Sequence, residues 1–335
     1  MTRVNRQVYF VKRPAEGLFD PKETFELRNG TIPELQDGDV LVRTVLLSLD
    51  PAMRTWMSGG DRSYTTLPEN IIMRGSIVGI VVESKDANYA VGDRVIGGHG
   101  WQDYGVSKGN ALIKIPANTS LEHSMSVLGG VGLTAYFGLI RIGNPVKGDT
   151  VVVSAAAGAT GSITVQIAKI LGCRVVAIAG GPDKCAWVKS LGADVCLDYK
   201  AKDFAEQLTA ATPNEINVYF DNTGGSILDL CLSRLAMKGR VVLCGAIATY
   251  NEKEVVGPSK YLALLFKRAR MEGFIVTDFL SEFDQGRQQL QTWLSEGKIK
   301  STTTIVDGLE NAPAGLLKLF TGDNTGKLMV KVSDE

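Results

Sequence analysis

A turn of small residues at 155–161, a lysine at 184, an asparagine at 222 and a tyrosine at 250 have the types and spacing to hold a dinucleotide and act beside it. Val151-Val152-Val153-Ser154 is a β-branched run leading into Ala155-Ala156-Ala157-Gly158-Ala159-Thr160-Gly161, and Ser162 to Leu171 then reads as a helix. Strand, tight turn and helix in this order cradle a pyrophosphate. Gly158 lets a phosphate approach the backbone and Gly161 lets the helix pack closely on the strand, while Ala156 stands where the first glycine of G-x-G-x-x-G falls. The helix start turns N–H groups and the positive end of its dipole towards the phosphates. Turns of this kind also occur without a cofactor, so the neighbouring strand ends must decide.

The next strand ends Ala177-Ile178-Ala179-Gly180-Gly181, with no acid. An acid there holds the ribose 2′-hydroxyl of NAD and would repel a 2′-phosphate. Lys184 follows and can neutralise such a phosphate, so the charge pattern favours NADP(H); Asp183 at the same helix start reads as a cap. Asp221-Asn222-Thr223-Gly224-Gly225 follows the fourth strand and puts Asn222 at the edge where ligands gather, although Asn-x-Gly-Gly is also an ordinary turn. Tyr250, in the segment Cys244 to Asn251 that leaves the fifth strand, can give a proton or stabilise an oxyanion.

Catalytic zinc needs three protein ligands and an open position. The first cysteine is Cys173 and the two histidines are His99 and His123, so the sequence predicts no metal site. His99, in Gly97-Gly98-His99-Gly100-Trp101, reads as a loop histidine without a catalytic task. No nucleophile elbow, Walker loop or catalytic triad order is present. Direct hydride transfer is the simplest remaining chemistry. An alkene conjugated to a carbonyl accepts hydride at its β-carbon, and the charge that moves to oxygen can be held by a hydroxyl donor.

These residues need strand ends to stand on. Strands are predicted at 151–154, 174–179, 194–197, 217–220, 240–244 and 272–276, with helices at 161–171, 183–191, 203–210, 227–236 and 259–268. Alternation of this kind signals a doubly wound parallel sheet. Gly172, Gly192 and Gly239 fall just past helix ends, where a left-handed cap is wanted. Before residue 126 the pattern is β-rich, with runs at 39–46, 75–83, 91–97 and 111–116 that suggest a small barrel or sandwich. A helix at 281–296, a strand at 302–306, a helix at 312–320 and a strand at 327–332 make too short a tail for a third domain.

The chain of 335 residues has 36 basic and 36 acidic side chains, so no charge excess argues for nucleic acid or an anionic membrane as partner. No apolar run reaches membrane-spanning length, and the expectation is a soluble cytoplasmic protein. Cys173, Cys185, Cys196, Cys231 and Cys244 are irregularly spaced and read as buried thiols.

Over nearly its whole length the chain resembles the zinc-independent medium-chain dehydrogenases/reductases, and within them the alkenal/one double-bond reductases. That group includes prostaglandin reductases (leukotriene hydroxydehydrogenases), plant double-bond reductases and bacterial curcumin reductases. The resemblance rests on Leu49-Asp50-Pro51-Ala52-Met53-Arg54, Gly132-Leu133-Thr134-Ala135-Tyr136, the glycine turn and Phe220-Asp221-Asn222-Thr223-Gly224-Gly225. It continues through Gly245-Ala246-Ile247-Ala248-Thr249-Tyr250-Asn251, Met271-Glu272-Gly273-Phe274-Ile275-Val276 and Gly322-Asp323-Asn324-Thr325-Gly326-Lys327.

The resemblance implies a GroES-like β-barrel catalytic domain over residues 1–126, completed by 301–335, and a Rossmann NADP-binding domain over 127–300. It implies NADPH, with Lys184 and Tyr199 at the 2′-phosphate and Gly158, Thr160 and Gly161 at the pyrophosphate. Asn222, Cys244, Ile247 and Tyr250 would line the cofactor, Phe274, Ile275 and Val276 would stand beside the nicotinamide, and Asn324 would reach back from the tail. Hydride would pass to the β-carbon of an enone or enal, with the oxyanion held by Tyr250, the ribose 2′-hydroxyl or both. Tyr64 would cover the substrate and share the catalytic role, and Met53 and Arg54 would line its pocket. Homodimers joined through Rossmann domains are implied as well. Ala52 and Ala248 depart from the residues common in relatives and leave substrate size open. The alternatives are a quinone reductase on the same scaffold and an NADPH-binding sensor without turnover.

Overall fold

The structure is a computed structural model that describes every residue except 1–3, 16, 60–62 and 64, so Tyr64 lies outside the described residues. In chain order the strands are β1 (Asn5–Phe10), β2 (Phe25–Gly30), β3 (Asp39–Ser48), β4 (Ile71–Ile72), β5 (Ile77–Ser84), β6 (Arg94–Gly97), β7 (Tyr104–Lys108) and β8 (Ile113–Lys114). Then come β9 (Thr150–Val153), β10 (Arg174–Ala179), β11 (Val195–Asp198), β12 (Ile216–Asp221), β13 (Leu235–Leu243) and β14 (Arg270–Gly273), and finally β15 (Thr303–Asp307) and β16 (Lys327–Lys331). Contacts divide the chain into two units: Met1–Met125 with Thr303–Asn324 and Leu328–Glu335, and Ser126–Thr302 with Thr325–Lys327.

The second unit is a six-stranded sheet in the order β11-β10-β9-β12-β13-β14, parallel at every pairing. This is a doubly wound Rossmann order. Helices on both faces explain why Val151, Val152 and Val153 form an unbroken apolar run and are wholly buried. Alternate side chains serve opposite faces: Val151, Val153, Val175 and Ala177 join one core, and Val152, Val176 and Ile178 join the other.

Two sequence expectations fail in one segment. The helix after β12 is Gly225–Leu232, not 227–236, and Ala236 and Gly239 lie inside β13. Gly239 caps nothing. A Cβ there would stand 3.0 Å from the Ala236 oxygen and 3.1 Å from the Ile216 oxygen, so close strand packing explains the glycine. The local pattern of Leu, Cys and Ala suits helix and strand equally, and pairing of Ile216 with Leu235 decides it.

The first unit is β-rich. β3 is its spine, pairing antiparallel with β5, β7 and β16, while β1 lies between β2 and β4 in a smaller sheet. The register of β3 against β5 shifts between Thr44 and Leu46. Gly79 serves this irregularity, because a Cβ there would meet the Arg43 oxygen at 2.3 Å.

His99 is packed into this unit. Its Nε2 lies 2.9 Å from the Thr44 hydroxyl, which itself donates to the Gln102 carbonyl at 2.6 Å. The hydroxyl therefore accepts, which assigns the imidazole hydrogen to Nε2 and leaves buried Nδ1 as an acceptor with no hydrogen-bond partner among the described residues. Burial lowers its pKa from 6.5 to about 4. The unfolded chain takes up this proton first as pH falls, so stability is intact above pH 6.5 and declines towards pH 4. The loss is up to about 3 kcal/mol. Urea unfolding near neutral and near pH 4.5 checks this: wild type should lose more stability on acidification than His99→Gln, and equal losses would remove His99 as the cause.

Candidate active site

The glycine turn starts from strain. Ala155 has φ +46°, a left-handed conformation that L side chains pay for, and such outliers gather at functional sites. Two hydrogen bonds hold it: Ala156 N–H donates to the Ile178 oxygen and Gly158 N–H to the Ala155 oxygen, each at 2.9 Å. Gly158 then caps the helix Ala159–Ile170, which carries Thr160 and Gly161 in its first turn. A Cβ on Gly161 would lie 2.3 Å from the Ala155 oxygen and 2.9 Å from Ala156 Cα. A Cβ on Gly158 would meet only the Ala155 oxygen, at 3.2 Å, so its outward face is open. The described residues therefore fit a pyrophosphate: a bare backbone at 158 and a helix start behind it. The tripeptide Thr325–Lys327 rests beside this turn, with Gly326 N–H donating to the Ala157 oxygen at 2.8 Å and bridging to Gly158 in parallel. Asn324 ends a segment of the first unit, one peptide bond earlier.

At the ends of β10 and β11, Tyr199 packs on Gly180, where a Cβ would lie 2.8 Å from Tyr199 Cε1. The helix Pro182–Ser190 starts at Gly181 and carries half-buried Lys184 in its first turn. No acid stands in that turn before Asp183, which is exposed.

Asp221 organises the ends of β12 and β13. It is fully buried, and its Oδ1 accepts from Tyr219 OH (2.7 Å), Ser154 Oγ (3.2 Å), Thr223 N–H and Gly224 N–H (2.9 Å each). Burial pushes its pKa above the usual carboxylate value against the pull of these donors. Its backbone oxygen accepts from Cys244 N–H (2.9 Å) and Gly245 N–H (3.1 Å). Asn222 is locked by Ser154, its N–H donating to Ser154 Oγ at 2.9 Å and its Nδ2 to the Ser154 oxygen at 2.7 Å. The short 3₁₀ turn Ile247–Thr249 is stitched to the same loop by Ile247 N–H to the Asn222 oxygen (3.3 Å) and Ala248 N–H to the Thr223 oxygen (3.1 Å). Tyr250 folds back so that its hydroxyl accepts from Ala246 N–H at 3.2 Å. Burial, then the Asp221 charge, pushes the Cys244 thiol up to about 12, so it is a neutral packing group.

Beyond β14, Phe274 packs against Gly138 and Phe279, Ile275 is 36% exposed and Val276 is half-buried. In the first unit, Met53 is wholly buried in the core. Arg54 is 3% exposed, and its guanidinium donates to Ser58 Oγ at 2.6 Å and to the Gly17 oxygen at 3.2 Å. Both therefore have packing tasks in that unit. The strand ends bring Gly158, Thr160, Gly161, Lys184, Tyr199, Asn222, Cys244, Ile247, Tyr250 and Phe274 to one edge of one sheet. Sequence reasoning assigned no role to Ser154 or Asp221; a serine ending the first strand and an acid ending the fourth were the available signal.

The fold and these strand-end turns define a two-unit nicotinamide-dinucleotide oxidoreductase scaffold. Residues 6–115 match the profile of the N-terminal domain of oxidoreductases, and residues 159–292 match that described as zinc-binding dehydrogenase. The chain is 42% identical over 343 aligned positions to the NADPH-dependent curcumin reductase of Escherichia coli, covering 99% of this chain and 98% of the relative. It is 40% identical to prostaglandin reductase 1 of Rattus norvegicus, covering 98% and 99%. The crystal structure of CurA in complex with NADPH from Vibrio vulnificus superposes with a TM-score of 0.93 at 39% identity, covering 98% and 100%. The chain belongs to the medium-chain dehydrogenases/reductases, in the group of the curcumin, prostaglandin and alkenal reductases.

Gly158→Ala and Gly161→Ala separate the two uses of the turn. Gly161→Ala should cost on the order of 2–3 kcal/mol of stability, because the methyl meets backbone that cannot swing away. Gly158→Ala should melt near wild type and bind NADPH weakly. Thermal unfolding with a fluorescence titration decides it; tight binding by Gly158→Ala would reject the phosphate cradle.

Proposed function

We propose that the protein is an NADPH-dependent reductase of the carbon–carbon double bond of α,β-unsaturated ketones and aldehydes. The observation that carries this reading is the full-length likeness to an NADPH-dependent curcumin reductase, together with a Nicotiana tabacum relative, the 2-alkenal reductase (NADP(+)-dependent), at 37% identity. When bound, NADPH supplies the hydride. Gly158, Thr160 and Gly161 would hold its pyrophosphate and Lys184 and Tyr199 its 2′-phosphate; Asn222, Cys244, Ile247 and Tyr250 would line the cofactor, Phe274, Ile275 and Val276 would stand beside the nicotinamide, and Asn324 would reach back to the cofactor from the tail. Residues 127–300 form the NADP-binding domain in this reading, and 1–126 with 301–335 the GroES-like catalytic domain. Met53, Arg54 and Tyr64 belong to the substrate side.

Tyr250 is assigned the proton. Ala246 N–H fixes its oxygen, and the hydroxyl would stabilise the charge that develops on the substrate carbonyl. In this reading hydride from bound NADPH would reach the β-carbon directly, with no zinc taking part. Among the described residues no three of His, Cys, Asp and Glu are placed to hold a metal ion.

We place the protein in the cytoplasm as a homodimer. No described helix is long and apolar enough to cross a membrane. β14 is an edge strand, and the nearby Leu265 and Phe266 are 67% and 66% exposed. An open edge with an apolar flank supports self-association through the second unit.

Tyr250→Phe should lower kcat about 10- to 100-fold with NADPH affinity near wild type; an unchanged rate would remove Tyr250 from the reaction. NADPH oxidation with an enone, an enal and a quinone tests the substrate class, and a preference for the quinone would overturn it. Leu265→Asp should halve the sedimenting mass; an unchanged mass would place the interface elsewhere.

A further inference from the structure

The turns after β10 and β11 are tied together by one side chain. Asp198 ends β11 and stands in register with Ala179, which ends β10. Its Oδ1 accepts from Gly181 N–H and from Lys200 N–H, each at 3.0 Å. Those two donors hold its carboxyl below the usual carboxylate range. Gly181, at φ +90°, is the residue from which the Lys184 helix starts, and Lys200 is the neighbour of Tyr199. Tyr199 N–H donates to the Ala179 oxygen at 3.1 Å, and the Tyr199 ring covers Gly180. One carboxylate oxygen therefore sets the spacing between the segment that carries Lys184 and the segment that carries Tyr199.

We infer that Asp198 is a positioning residue for cofactor choice: by clamping these two turns it sets Lys184 and Tyr199 at the separation that receives a 2′-phosphate. The inference rests on the proposed phosphate role of Lys184 and Tyr199. An acid beside a phosphate is unfavourable unless its charge is engaged. Here two backbone N–H groups engage it, and what the side chain supplies is an acceptor with two lone pairs at a fixed point. An amide oxygen in the same place supplies that acceptor without the charge. A hydroxyl on the shorter serine side chain cannot reach both donors.

Dissociation constants for NADPH and NADH, read by fluorescence on wild type, Asp198→Asn, Asp198→Ser, Asp198→Ala and Lys184→Ala, test this. The serine and alanine variants should weaken NADPH about ten-fold or more and NADH less than about three-fold, while Asp198→Asn binds NADPH at least as tightly as wild type. Rescue by asparagine separates positioning from general destabilisation, which would weaken both nucleotides together. Should the alanine variant fail to fold, the serine and asparagine variants decide. Wild-type nucleotide preference in the serine variant, or loss of NADPH in Asp198→Asn, would overturn the inference. If Lys184→Ala weakens both nucleotides alike, the phosphate reading falls and takes this inference with it. If Lys184→Ala discriminates and Asp198→Ser does not, the inference on Asp198 alone falls.

Discussion

The second unit depends on one close approach. At Gly161 the first turn of a helix comes so near the end of β9 that a single methyl would sit 2.3 Å from the Ala155 oxygen. That contact puts the helix start directly behind the turn, where its N–H groups and dipole face whatever occupies the cradle. The strained Ala155 follows from it, because the chain must reverse within a few residues. The fully buried Val151–Val153 run anchors the turn to a strand that cannot shift without opening both cores.

A second constraint is a buried acceptor. Asp221 Oδ1 draws in a phenol, a hydroxyl and two backbone N–H groups, while its backbone oxygen takes the N–H groups of Cys244 and Gly245. Leaving such a group unsatisfied would cost several kcal/mol, so the loops that carry Asn222 and Tyr250 close around it. The Tyr250 hydroxyl is thereby held by its own loop at Ala246, before any ligand arrives.

The first unit shows the converse. Met53 and Arg54 belong to a stretch that carries the family resemblance, and the unit also uses them for its own stability, one as a core side chain and the other as a clamp on backbone oxygen. His99 is likewise held neutral by burial and fixed in place by its bond to Thr44. A residue type that can do chemistry is often enclosed for packing, and only the surroundings tell the two uses apart.

The sequence by itself determined what local pattern can encode. Alternating apolar runs and helical stretches specified the doubly wound half, and the glycine turn with the acid-free end of β10 beside Lys184 was legible as the expectation of an NADP(H) site. These follow from neighbours along the chain, because face, cap and turn each depend on a few consecutive residues. Tertiary structure decided which distant polar atoms meet. Ser154 and Asp221 are 67 positions apart, and Gly181 and Asp198 are 17 apart, yet each pair bonds because β9 lies beside β12 and β10 beside β11. It also decided that Gly239 packs inside a strand and caps no helix. Strand order is a property of how whole surfaces are buried, and no short window of residues carries it.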